Sequence, residues 1–134
     1  METVNQIEYN GALYNIQDEE AQKNLVYSQN EIDTGKIWID GKKIYRKVVS
    51  CGILPNNKEK EIPHNIKDYD IFISVRGLAI YREAKSFIFL PFAGIEYESI
   101  KITVLRENIV ITTYIVRDYF SESYAILEYT KTTN

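Results

Sequence analysis

One histidine and one cysteine are all the chain offers of the side chains that most often ligate metals or act as nucleophiles. Within one copy, a metal at His64 would need carboxylates as its other ligands. Across copies it would need the histidine to repeat around a symmetry axis, and His64-Asn65-Ile66 shows no repeat suited to that. A Ser-His-Asp triad calls for a serine on a strained turn, and no Gly-x-Ser-x-Gly elbow is present. Cys51 has no partner for an intrachain disulfide, so a buried or half-buried free thiol is expected. Two acids about 5 to 10 Å apart across a cleft can cleave a glycosidic bond. Glu96 and Glu98 on one strand face would stand about 7 Å apart. They flank Tyr97 near Gly94, in what reads as a loop or strand start, and a solvated face accounts for them. The chain is also short for building a depolymerase cleft. No catalytic residue, no metal and no cofactor is expected, and the chain reads as a non-enzyme.

Binding chemistry is better represented. Asp118, Tyr119, Phe120, Ser121 and Glu122 form a polar-aromatic segment between two strand-like runs. Aromatic faces beside carboxylates suit carbohydrate capture, by stacking and by hydrogen bonds to hydroxyls, and loops on rigid sheets are where binding residues concentrate. Trp38, the single tryptophan, shares a strand face with Lys36, while Ile37 and Ile39 share the other. It suits either a sugar-stacking platform or an anchor buried in the core or between subunits. Eleven tyrosines fit strands, and they also fit an exposed recognition face.

The chain has 134 residues, 45% of them apolar, enough for one folded domain or a domain plus a stem. A net charge of −3 with scattered acids and bases argues against nucleic-acid binding, which needs a basic face. The first residues lack the basic start and apolar core of a signal peptide, and no apolar run reaches transmembrane length. Synthesis in the cytosol without membrane insertion is expected; if the chain reaches the outside, assembly into a particle and lysis can take it there without a signal.

The elements that must position these side chains are mostly strands. Residues 6–9 and 12–16 flank Asn10-Gly11, a hairpin cue. A helix over about 19–29 follows, with Asp18 as its cap and Glu19 and Glu20 at the positive end of its dipole. Ala21, Leu25, Ser28 and Ile32 recur at heptad spacing. That helix could lie on its own domain or pair with copies of itself as a short stem; an isolated helix this short is marginal in water. From Gly35 the pattern is strands. Residues 36–39 and 43–50 flank Asp40-Gly41, which suits a two-residue type I′ turn. Residues 55–61 read as an exposed charged loop, and Tyr69, Ile71, Ile73 and Val75 alternate as in a half-buried strand until Arg76-Gly77 interrupts. Residues 78–82 and 86–93 follow, the latter with Pro91 implying an edge or bulge. Runs 99–106 and 109–116 flank Glu107-Asn108, and 123–131 closes the chain. Seven or eight short strands at spacings of about ten residues indicate an all-β sandwich or barrel. Two regions are expected: 1–34, a hairpin plus short helix serving as stem or attachment, and 35–134, an antiparallel β-sandwich head.

Trp38-Ile39-Asp40-Gly41-Lys42-Lys43-Ile44-Tyr45-Arg46-Lys47 resembles a motif that opens the C-terminal head domain of bacteriophage and prophage tail-fibre or receptor-binding proteins. Leu54-Pro55-Asn56, then Pro63-His64-Asn65-Ile66, resemble that family's Leu-Pro-Asn and Ala-His-Gly-Ile elements. Leu127-Glu128-Tyr129-Thr130-Lys131-Thr132 resembles its closing strand. The short Asn-Gly strand leading into an acidic helix start is similar to an element of tail proteins. The likeness covers roughly residues 27–134. Asn65 departs from it, standing where glycine is usual; asparagine accepts left-handed backbone better than most residues. The resemblance implies a jelly-roll-like head, a homotrimer on a helical or fibrous stalk, other tail proteins as partners, and location in the virion tail. It implies adhesion to a host surface carbohydrate, for which the aromatic and acidic side chains of Asp118, Tyr119, Phe120 and Glu122 are the candidate contacts on their residue types. It implies framework roles for Trp38, Asp40, Gly41 and Tyr129, and for His64 a hydrogen bond that fixes its turn. The alternative is a non-adhesive baseplate or fibre-connector component; a hydrolase of envelope sugar is a third class.

Overall fold

A computed structural model describes residues 26–133, which form β1 (Ile32–Ile37), β2 (Lys43–Ser50), β3 (Glu59–Pro63), β4 (Tyr69–Tyr81), β5 (Ser86–Leu90), a 3-10 turn (Glu96–Glu98), β6 (Lys101–Val104), β7 (Asn108–Thr112) and β8 (Glu122–Lys131). The all-antiparallel β architecture expected from the sequence is the one the chain adopts. Five strands pair in the order β1-β2-β8-β4-β5, and three in the order β3-β7-β6. Alternation along β8 explains its central place. Ser123, Ala125, Leu127 and Tyr129 are buried while the residues between them are half-buried, so the strand turns one face inward at period two.

Both sheets feed one core. The five-stranded sheet supplies Ala79, Leu90, Ala125, Leu127 and Tyr129, and the three-stranded sheet supplies Ile62, Ile102, Ile109 and Ile111. Connecting segments add Cys51, Leu54, Ile66, Ile100 and Phe120. The sheets are joined by two connections running side by side. β2 pairs with β8 in one sheet, β3 with β7 in the other, so segments 51–58 and 113–121 cross the gap together. Backbone bonds tie them along the way: Cys51 N–H to Ser123 O, Leu54 N–H to Phe120 O, Asn57 N–H to Ile115 O, and Thr113 N–H to Lys58 O, at 2.8–3.0 Å.

Several expectations change. Residues 26–30 are not helical, and Ile32 opens β1. The Ser28 carbonyl accepts the Val48 N–H at 2.9 Å, and the Val26 carbonyl accepts an Arg46 Nη2 hydrogen bond at 2.9 Å. Backbone groups that a helix would bond internally are thus bound to β2. Ala21 and Leu25 of the heptad pattern, and the hairpin over 6–16, lie outside the described residues. β1 also spans position 34/35, so the expected boundary there falls within a paired strand.

The β1–β2 turn is longer than a type I′ turn. Type I′ needs positive φ at both central residues, and only Gly41 has it, at +89°. Trp38 and Lys42 are bonded across the hairpin, and the Gly41 N–H reaches Trp38 O at 2.9 Å, which makes a three-residue loop ending in a left-handed glycine. The charged run Lys58-Glu59-Lys60-Glu61 enters a strand: β3 pairs with β7 from Glu59↔Thr112 to Pro63↔Asn108. As an edge strand it needs only Ile62 inside, and its charges shield the open edge. Irregular pairing between Tyr69, Phe72 and Ser74 breaks the expected alternation, so Phe72 turns to the core and Ile71 to solvent. β4 then runs through Arg76-Gly77 without interruption. The β6–β7 turn centres on Arg106-Glu107, one residue early, closed by Leu105 N–H to Asn108 O at 2.8 Å.

Candidate functional site

The 118–122 segment is one of the two inter-sheet connections, and this disperses the residues expected to bind together. Phe120 is 3% exposed, a core side chain with its ring 6.0 Å from that of Tyr81, and is no exposed stacking platform. Tyr119 is 42% exposed, packed edge-on against Tyr81 at 5.2 Å, and its hydroxyl accepts from Arg117 Nη1 at 3.3 Å. Glu122 lies in β8 and holds Arg82 through both carboxylate oxygens. That pairing lowers the Glu122 carboxyl below its ordinary range and raises the Arg82 guanidinium. Asp118 is exposed, with its N–H on Asn56 Oδ1 at 2.9 Å. The same oxygen takes the Arg117 N–H at 2.8 Å, so Asn56 of the Leu-Pro-Asn element clamps this connection. The clamp depends on a contact across 61 sequence positions, and the sequence reading did not detect it.

The other expected residues separate in the same way. Trp38 sits half-buried at the tip of the β1–β2 hairpin, away from the shared core, so within one chain it is not an anchor between sheets. Asp40 Oδ1 takes the Lys42 N–H at 3.0 Å beside Gly41 and so stiffens that turn. Glu96 and Glu98 occupy the exposed 3-10 turn, where Glu98 Oε1 takes the Ile95 N–H at 3.4 Å, and are not paired on a strand face. Cys51 is buried and free, its thiol pushed up to about 11 by that burial. Tyr129 is fully buried, stacked on Tyr45, and donates its hydroxyl to Glu31 Oε1 at 2.6 Å. Burial and the Glu31 carboxylate both raise its phenol. Lys131 also binds Glu31 and lies 3.4 Å from Asp68, the first contact holding its ammonium above the ordinary range. Glu31, ahead of β1, thus fastens the chain entry to the closing strand.

His64 lies at the floor of a recess. The turn after β3 (Pro63, Asn65, Ile66 and Lys67), Tyr69 and the β6–β7 tip (Arg106, Glu107 and Asn108) enclose about 700 Å³ around it. His64 is 1% exposed. Its Nδ1 accepts the Ile66 N–H at 3.1 Å, which leaves Nε2 to donate to Leu105 O at 3.1 Å. Its N–H reaches Glu107 O at 3.1 Å, and its carbonyl accepts from Lys47 Nζ at 3.0 Å. Tyr69 donates its hydroxyl to Arg106 O at 2.9 Å. Asn65 has φ +59°, the left-handed conformation its side chain tolerates, and this closes the turn. The two walls are therefore cross-linked beneath the recess by His64 and Tyr69. Lys67 and Arg106 were not singled out from sequence: 39 positions separate them, and neither stands in a motif.

Among the described residues no group of three or more His, Cys, Asp or Glu is arranged to hold a metal ion, and no helix is long and apolar enough to cross a membrane. Comparison with family models, curated proteins and solved structures finds no match to this chain.

Proposed function

We propose that the chain is the adhesive head of a phage or prophage tail, a receptor-binding or fibre-head subunit that works as a homotrimer and attaches to a host surface glycan without chemical turnover. The observation that carries this reading is the recess around His64: a concave site at one end of a strand scaffold, with walls held rigid from below. Rigid walls reduce the ordering cost of holding a flexible sugar chain. The ordered motifs from Trp38 to Lys131 that resemble tail-fibre heads add the biological setting.

Trimer formation is supported by the free edge of the five-stranded sheet. β5 is an edge strand, and its Phe87 and Phe89 are 56% and 68% exposed. Uncovered aromatic edges invite association, and natural proteins usually cover them. Three copies on one axis would turn weak glycan contacts into useful avidity. Light scattering of the purified chain is expected to return three times the chain mass, and pull-down on a panel of Gram-positive and Gram-negative cells is expected to retain it. A monomer that no cell retains would overturn the proposal. A trimer that binds no cell would point to the connector role instead.

A further inference from the structure

We propose that the recess around His64 recognises an acidic carbohydrate, with Lys67 and Arg106 as its anion contacts. The inference rests on the adhesion reading and names the ligand class and the residues. Both cations line the recess, both are exposed, and they stand on opposite walls, Lys67 on the turn after β3 and Arg106 at the β6–β7 tip. Among the described residues neither side chain has an ion pair or hydrogen-bond partner. Arg82 is paired with Glu122, Lys42 with Asp70 at 2.8 Å, and Lys131 with Glu31 and Asp68, while among the described residues the exposed Lys36, Lys58 and Lys85 have no ion pair either; what sets Lys67 and Arg106 apart is that both line one hollow. Two unneutralised cations facing one hollow, in a chain of net charge −3, make this a place where an anion gains attraction.

The rest of the lining argues for a sugar. Some backbone groups of the walls are bonded within the fold: the His64 and Ile66 N–H groups and the Leu105, Arg106 and Glu107 carbonyls. The side chains beside the two cations include the amides of Asn65 and Asn108, the latter donating from Nδ2 to Glu61 Oε1 at 3.4 Å. Amides suit hydroxyls; an ammonium and a guanidinium suit carboxylate or phosphate. The carboxylate of Glu107 on the same rim opposes anion binding, which makes the assignment testable in both directions.

Calorimetric titration of the intact protein would use polygalacturonate as the carboxylated probe, polyglycerol phosphate as the phosphorylated one, dextran as the neutral one and a single-stranded oligonucleotide. Binding to at least one of the first two is expected, weakening as salt is raised, and the better of them names the anion. Lys67→Gln with Arg106→Gln is expected to weaken it about tenfold. Glu107→Gln is expected to tighten it, and Lys36→Gln with Lys85→Gln, an equal charge loss at sites outside the recess, to leave it unchanged. Equal losses in the two double variants, or equal binding of dextran or the oligonucleotide, would overturn the inference. Cell retention separates the two proposals. If cells hold the Lys67/Arg106 variant as well as the wild type, the recess assignment fails and adhesion stands. If the wild type binds an acidic polymer but no cell, adhesion fails and the recess assignment stands.

Discussion

At the scale of single residues, the aromatic pair Tyr119 and Phe120 shows how neighbours in sequence take different roles. Phe120 reaches into the core because its connection crosses between sheets, with its carbonyl bonded to Leu54 N–H at 3.0 Å. Tyr119, one position earlier, stays half in solvent against Tyr81. Phe120→Ala is expected to destabilise the fold by about 3–5 kcal/mol, because it removes a buried ring and leaves a cavity. Tyr119→Ala is expected to cost less than about 1 kcal/mol. Urea unfolding of the two variants checks this, and similar midpoints would contradict the burial described. Adsorption assays aimed at this segment should therefore change Tyr119 alone. His64 has a comparable hidden role: both ring nitrogens are engaged within the fold, one on each wall of the recess, so its ring is a strut beneath the candidate site.

At the scale of elements, β4 is the longest strand and passes its tightest point at Gly77. A Cβ there would lie 3.0 Å from Leu90 Cβ and 3.1 Å from the Tyr124 carbonyl oxygen. The glycine is present because β5 and β8 close on it from both sides. Between its pairs with Leu90 and Ala125 a methyl group would fit only if these neighbours gave way by a few tenths of an ångström. Gly77→Ala is expected to destabilise by about 1–3 kcal/mol through overpacking, read as a lowered thermal midpoint; an unchanged midpoint would mean that β5 can move away at little cost. The sequence pattern took Arg76-Gly77 as a strand break, since glycine weakens strands in isolation. Close approach between strands outweighs that intrinsic preference here. The charged β3 makes the same point: pairing with β7 decides its structure, against the low strand propensity of Glu and Lys.

At the scale of the whole molecule, burial of two titratable groups links the core to pH. Cys51 has a thiol raised from 9.0 to about 11, so the folded chain keeps its proton where the unfolded chain releases it. That contribution is complete below pH 9 and is lost as pH rises toward 11, on the order of 2 kcal/mol in all. Tyr129, raised from 10.0 by burial and by Glu31, acts in the same direction. Urea midpoints measured from pH 8 to pH 11 are expected to fall for the wild type and to fall less steeply for Cys51→Ala. Parallel profiles would show that the thiol is not sequestered in solution.

Taken alone, the sequence determined the strand-rich class of the fold, the placement of most strands and the free thiol. These follow from period-two alternation, turn chemistry and composition, which act within a few residues. Tertiary structure alone decided the rest. Residues 26–30 leave the helical pattern as β2 binds the Val26 and Ser28 carbonyls, and Phe120 is buried because segments 51–58 and 113–121 cross between the sheets together. The hollow around His64 exists because a turn near residue 64 meets a hairpin tip near residue 106. Contacts across that distance in sequence arise when two sheets close on one core, and no local pattern encodes them.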